Sequence, residues 1–146
     1  MKKQPQREEM RRCQESLSAW AVREAAVRRA PLSVVTVHQA PVEYLGSSVD
    51  HAQDHDLAER YRQAAQQAVE GALARADGAR PEPVTVQAVG GAPAEALLAT
   101  ARNAGMIVIG SRGAGGFARL LMGSVSSQIT HHVHCPVVVI PAQDRG

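Results

Sequence analysis

At 146 residues, with 45% apolar residues, 21% charged residues and a formal net charge of +2, the chain is sized for one domain with a real core. The charge excess is too small to argue for a nucleic-acid surface, and one Phe, one Trp and two Tyr leave little for stacking bases. No apolar run approaches bilayer-spanning length, and Cys13 and Cys135 are too few for a disulfide framework. Neither a membrane nor a nucleic acid is therefore an expected partner. The expected compartment is the reducing cytoplasm, because Gln4 to Arg12 is polar where a secretion signal needs an apolar stretch.

The basic excess gathers at Lys2, Lys3, Arg7, Arg11 and Arg12, a solvated end of the chain. A first helix is predicted from about Glu8 to Arg29, with Met10, Cys13, Leu17 and Trp20 spaced as one apolar stripe, and Pro31 ends it. Leu32 to His38 is short and β-branched, the pattern of a buried strand. Val42 to Gln53 shows no period and holds Gly46, Ser47 and Ser48, so it is expected to be a crossover loop. A second helix is predicted over Asp54 to Asp77, with Leu57, Tyr61, Ala64, Ala68 and Ala72 on one side and Gly78 at its end. Val84 to Val89 follows as a strand. Gly90 and Gly91 then turn the chain into a helix opened by Pro93, where the missing proline N–H costs nothing, and Gly105 is expected to cap its far end.

The most informative stretch comes next. Met106 to Ile109 is apolar and β-branched, while Val125, Ile129 and Val133 recur every four residues, so a strand runs through a glycine loop into a helix from Ser124 to about His134. Glycines let a ligand approach the main chain closely, and the start of a helix offers free N–H groups and a positive dipole end. Anion binding is the chemistry this pattern suits. Pro136 to Pro141 supplies the last strand, followed by a polar tail over 142–146. Strands alternating with helices indicate an α/β fold, an open parallel sheet with helices on both faces, and ligands of such sheets bind beyond the carboxyl ends of the strands.

The glycine loop has Gly110 and Gly113 separated by two residues, then nine residues, then Gly123 and Ser124. That spacing resembles the signature of the nucleotide-binding branch of the universal stress protein family. The flanks from Pro93 to Leu98 and from His131 to Pro141 resemble the family too. The domain so implied covers residues 16–141, with 1–15 an atypical polar extension of the first helix. The resemblance implies a Rossmann-like fold of the adenine-nucleotide α-hydrolase type that binds ATP, with or without Mg. Its phosphates would lie on backbone amides near Gly110, Gly113, Gly123, Ser124 and Val125, with Arg112 inside the matched motif and the Val37 backbone beside the adenine. Ser124 is expected to double as helix cap and phosphate ligand. Related proteins pair through the strand matching 136–141, so a homodimer is expected, and an apolar edge there favours the same outcome.

One departure matters. Family members begin with a buried strand ending in Asp, in the middle of the sheet, whereas this chain offers the charged, proline-containing stretch from Met1 to Met10. That stretch cannot be a central strand. Its loss should leave a gap between the strands at 32–38 and 106–109 or force them together, and it removes the family's nucleotide-side aspartate. The alternative reading is thus a nucleotide-free dimeric interaction module that keeps the fold.

Catalysis is not expected. Lys2 and Lys3 are the only lysines, so no Walker-type lysine follows Gly123, and Arg112 and Arg119 are the only cations near the loop. The Gly-x-Ser-x-Gly pattern of a nucleophile elbow is absent although Ser124, Ser126 and Ser127 lie near three histidines. His131 and His132 are helix neighbours facing different directions, so His131, His132 and His134 read as helix-end residues rather than a metal site. His51 and His55 lie four apart at the junction of the expected loop and the second helix, and Cys135 reads as a small core residue. No metal is expected.

Overall fold

The computed structural model describes residues 3–39, 51–111 and 122–141. Four helices alternate with four strands: α1 (Lys3–Arg28), β1 (Leu32–His38), α2 (His51–Arg75), β2 (Val84–Gly90), α3 (Pro93–Thr100), β3 (Ile107–Gly110), α4 (Ser124–His132) and β4 (Val137–Ile140). The alternation expected from hydrophobic periodicity is present, and both strand pairings are parallel.

Several boundaries move. α1 begins at Lys3 rather than Glu8, so most of the stretch that could not be a strand is helix. Pro5 sits in its first turn, where a missing N–H breaks no helical bond. At the other end Ala30 N donates to Ala25 O at 2.9 Å, Arg29 takes a left-handed φ of 52°, and Pro31 then prevents continuation. α2 starts at His51 rather than Asp54, which carries His51 out of the expected loop and onto the helix that also holds His55. α3 ends at Thr100 with Ala101 as its C-cap, so Gly105 is not the cap. α4 ends at His132, and Val133 leaves the helix with ψ 151°.

A single sheet is not what forms. Among the described residues β1 pairs only with β2, from Leu32 opposite Val84 to His38 opposite Gly90, and β3 only with β4, from Ile107 opposite Val137 to Gly110 opposite Ile140. No β1–β3 ladder forms among the described residues. α1 packs against both β1 and β3, and α3 packs against β1 and α4, so helices hold the two ribbons in one domain. Two-stranded ribbons are marginal alone and need this cover.

The fully buried apolar side chains among the described residues lie on helices: Val22 and Ala25 on α1, Val69 and Ala72 on α2, Ala94 on α3 and Ile129 on α4. The expected stripes meet this core at Ala72 and otherwise lie beside it. Met10 and Tyr61 are exposed, while Val22 and Val69 are 1% exposed.

Candidate functional site

The carboxyl ends of the strands gather the candidate site. Gly110 is the last residue of β3, one position inside the strand rather than the first of the loop. Arg112, Gly113 and Arg119 lie outside the described residues. The chain re-enters description at Met122, and Gly123 becomes the N-cap of α4 with φ −71° and ψ 165°. This is ordinary extended backbone, so conformation does not demand glycine there. Ser124 is the first helical residue and is exposed, which corrects its expected role as the cap.

Two hydrogen bonds tie this helix start to β3. Gly123 N donates to Ser111 O at 2.6 Å, and the buried Ser126 hydroxyl donates to Gly110 O. The first corrects part of the anion-site expectation, because the Gly123 amide is already engaged. The amides of Ser124, Val125 and Ser126 occupy the first turn, where no helical carbonyl precedes them and no side chain caps the end. They and the Ser124 hydroxyl are the donors an anion would meet, aided by the positive end of the helix dipole.

Val37 belongs to the other ribbon. In a parallel ladder a residue directs its N–H and C=O to one side, and the next residue directs them to the other. Leu32 N donates to Pro83 O at 2.9 Å and Gly91 N donates to His38 O at 3.1 Å, so the even-numbered residues of β1 serve β2. Val37 therefore turns its backbone polar groups away from β2. On β3, Ile107 N donates to Pro136 O at 3.0 Å and Ser111 N to Ile140 O at 2.9 Å, so Gly110 turns its own away from β4. Val37 and Gly110 thus each direct their backbone polar groups to the side of their ribbon that is unpaired among the described residues.

Beside Val37, His38 is 4% exposed and its Nε2 stands 3.4 Å from Asp54 Oδ1 in the first turn of α2. The two are close enough to attract when His38 is protonated but are not aligned as a hydrogen bond. His38 Nδ1 and Asp54 Oδ1 have no hydrogen-bond partner among the described residues. The Tyr61 ring centroid lies 6.1 Å from that of His38, and a Cβ on Gly90 would come within 3.3 Å of His38 Nε2. Gly90 therefore makes room for the imidazole. A buried imidazole nitrogen without a partner, next to Val37, is a polar group that a ligand hydroxyl or ring nitrogen could satisfy.

The sequence reading missed Ser126, His38 and Asp54 as site components. Ser126 was visible only as a serine one step from Val125, and nothing local distinguishes it from the exposed Ser124. His38 was visible as a polar residue closing a buried strand, but its partner is supplied by a helix that begins thirteen residues later.

The remaining histidines do other things. His131 Nδ1 donates to Ser127 O at 2.6 Å, one turn back in α4, which suits an imidazole at a helix C-terminus. His132 and His134 line a shallow cleft of about 530 Å³ with Glu95, Arg102 and Cys135, at the opposite end of α4 from Ser124. Among the described residues no three His, Cys, Asp or Glu side chains converge as metal ligands, and no helix is long and apolar enough to cross a membrane.

The profile described as the universal stress protein family matches residues 11–141. Universal stress protein Rv1996 of Mycobacterium tuberculosis is 32% identical over 147 aligned residues, covering 91% of this chain and 46% of that protein. Universal stress protein Rv2624c of the same species is 34% identical, covering 83% and 41%. The chain spans about half the length of the curated relatives it matches. Among solved structures, UspA from Lactobacillus plantarum superposes with a TM-score of 0.61 at 22% identity, over 86% of this chain and 87% of that one. A universal stress protein in complex with cAMP superposes with a TM-score of 0.54 at 19% identity, over 92% and 89%.

Proposed function

The chain belongs to the universal stress protein family, and from that premise we propose that it is a stress-response protein that binds ATP or a related adenine nucleotide for regulation rather than turnover. The observation that carries the reading is the uncapped start of α4, held against the end of β3 by Ser126 and Gly123. A helix end whose first amides lack acceptors, at the carboxyl edge of parallel strands, is where phosphates bind in α/β folds. That a fold relative is described as a complex with cAMP supports the same ligand class.

In this reading the amides of Ser124, Val125 and Ser126 hold phosphate oxygens, and the Ser124 hydroxyl adds a hydrogen bond. Val37 presents backbone groups to the base. Gly110, Arg112 and Gly113 border the phosphates, with Mg as an optional companion. No lysine is available near the site to neutralise a transferred phosphoryl group, so the nucleotide acts as a signal rather than a substrate. The protein works in the cytoplasm as a homodimer joined through the edge at 136–141. Among the described residues β4 pairs only with β3, so its other edge can take a second copy.

Calorimetric titration with ATP and with cAMP, with and without Mg, tests the ligand. Saturable heat that Gly113→Ala and Gly123→Val each reduce is the expected result, since either side chain crowds the phosphate path. Absence of heat with every nucleotide refutes it. The second reading, an interaction module without nucleotide, is favoured by one observation: the Gly123 amide is already satisfied by Ser111. A melting temperature unmoved by millimolar nucleotide, in a chain that still dimerises, selects that module.

A further inference from the structure

The cleft between α3 and the end of α4 lies apart from the nucleotide reading. Its volume of about 530 Å³ is that of a small-molecule pocket. One wall is α3 with the residues that follow it, and the other is the end of α4 with the turn into β4. Every lining residue is described, and the cleft stands at the opposite end of α4 from Ser124.

Its polar lining is a carboxylate, a guanidinium, two imidazoles and a thiol, from Glu95, Arg102, His132, His134 and Cys135. Among the described residues none of these five side chains makes a hydrogen bond or an ion pair with another protein group, whereas on α1 and α2 Glu8 closes on Arg12 and Glu59 on Arg62. Glu95 is in the first turn of α3 and Arg102 follows its C-cap, so opposite charges stand about two helical turns, roughly 10 Å, apart along one wall. Leu98, between them in the chain, and Val133 add apolar surface. Cys135 is a free thiol, partly exposed between the exposed His134 and Pro136. It is not the sealed core position that its place before a strand suggests.

We propose that this cleft captures small zwitterionic disulfides of the cystine type and that Cys135 is thiolated there. A ligand that uses the whole lining carries a carboxylate for Arg102, an ammonium for Glu95 and, between them, an atom that a thiol attacks. Cystine has that order. Its α-carbons lie about 4.4 to 6.8 Å apart across the sulfurs, with charged groups beyond each, which suits the spacing of Glu95 and Arg102. The Cys135 thiol gives its proton to water and its sulfur bonds to one sulfur of the ligand. The ligand's S–S bond breaks, and the departing cysteine thiolate takes up a proton. Cys135 ends oxidised in a mixed disulfide, and the released half of the ligand ends reduced. Selectivity comes from holding the disulfide beside the thiol, with a planar guanidinium matched to a carboxylate.

The test exposes the full chain to cystine or to cystamine, which keeps the disulfide and the ammonium groups but lacks the carboxylates. Intact-mass and peptide-mapping mass spectrometry follow each cysteine, and every rate is divided by that of the same cysteine in the urea-unfolded chain, which cancels the intrinsic reactivity of the reagent. At Cys135 the folded-to-unfolded ratio should be about fivefold higher with cystine than with cystamine, and at Cys13 the two ratios should agree. Arg102→Ala should remove the preference at Cys135 while leaving its reaction with the uncharged 2,2′-dithiodipyridine and the circular dichroism spectrum unchanged. Equal ratios at Cys135 for the two reagents, a preference that survives Arg102→Ala, or thiolation confined to Cys13 overturns the proposal. Nucleotide titrations are independent of all these outcomes.

Discussion

Helices and strands divide the burial in this molecule in an unusual way. The side chains with almost no exposure, Ile129 at 0%, Val22 at 1% and Val69 at 1%, are all helical, whereas Val34, Val35, Val86, Ile109, Val138 and Val139 are only partly buried in their strands. In a continuous parallel sheet the order is reversed, because each central strand is covered by neighbours on two edges and helices on two faces. The contrast teaches that a strand's burial is a property of its sheet and not of its residues. β1 and β3 are as apolar and β-branched as any central strand, yet each has a neighbour on one edge only.

The largest expected effect sets one region against the other. Ile129→Ala should destabilise the protein by about 3 kcal/mol, since it leaves a cavity in the packed helical layer, whereas Val138→Ala on β4 should cost about 1 kcal/mol or less. Urea unfolding measures both. Equal losses would mean that the strands are packed as tightly as the helices, which dissolves the contrast.

Ser126→Ala comes next. It removes the hydroxyl that joins α4 to Gly110 O and leaves a partly buried carbonyl without its donor, at a cost of about 1 kcal/mol. It should also weaken nucleotide binding more than Thr130→Ala does, because the Thr130 hydroxyl only bonds Ser127 O within the helix. Similar affinities for the two variants would show that the helix start needs no anchoring to β3.

Arg29→Gly should act in the opposite direction. Arg29 holds a left-handed φ of 52° at the end of α1, a conformation that glycine adopts without a Cβ clash. The substitution should gain about 0.5 to 1 kcal/mol and raise the melting temperature. A lower melting temperature would show that the exposed arginine makes a contribution its geometry does not reveal.

The smallest effect concerns α2. Hydrogen bonds from Arg62 at 2.7 and 2.9 Å, joined by one from Gln63, hold the Glu59 carboxyl down at about 2, against an ordinary value of 4.5. A depressed folded-state value means the stabilisation is full above 4.5 and is lost as pH falls toward 2. Solvent screening keeps it small at this surface. Glu59→Gln should therefore leave the melting temperature near neutrality almost unchanged and make it fall less between pH 4.5 and 2. An identical acid profile for the two proteins would remove the pair from any account of stability.

Much of the architecture was legible because its signals are local. Pro31 after a long amphipathic run, the β-branched run Val34 to Val37, and Pro93 after Gly90 and Gly91 each act within a few residues. The order of helices and strands followed from them, as did the placing of Gly110, Gly123 and Ser124 at a strand-to-helix junction. The helix ends were less legible. α3 stops at Thr100 although no glycine or proline follows until Gly105, because Ala101 already has φ −90° and ψ 4°. Stripe positions slipped as well: Tyr61 has the spacing of a core residue but sits 42% exposed, its ring beside His38 instead.

Local periodicity and turn chemistry made the sequence sufficient for an α/β chain with an anion-suited junction at Gly123 and Ser124, and the charged first ten residues were enough to rule out a central strand. Only the tertiary structure decided that β1 and β3 stay apart, that Gly123 spends its amide on Ser111, that Ser126 reaches Gly110, and that His38 meets Asp54. Each of those outcomes depends on segments distant in sequence competing for one another's edges and donors. A strand's residues specify how it can pair; the rest of the fold determines whether a partner is there.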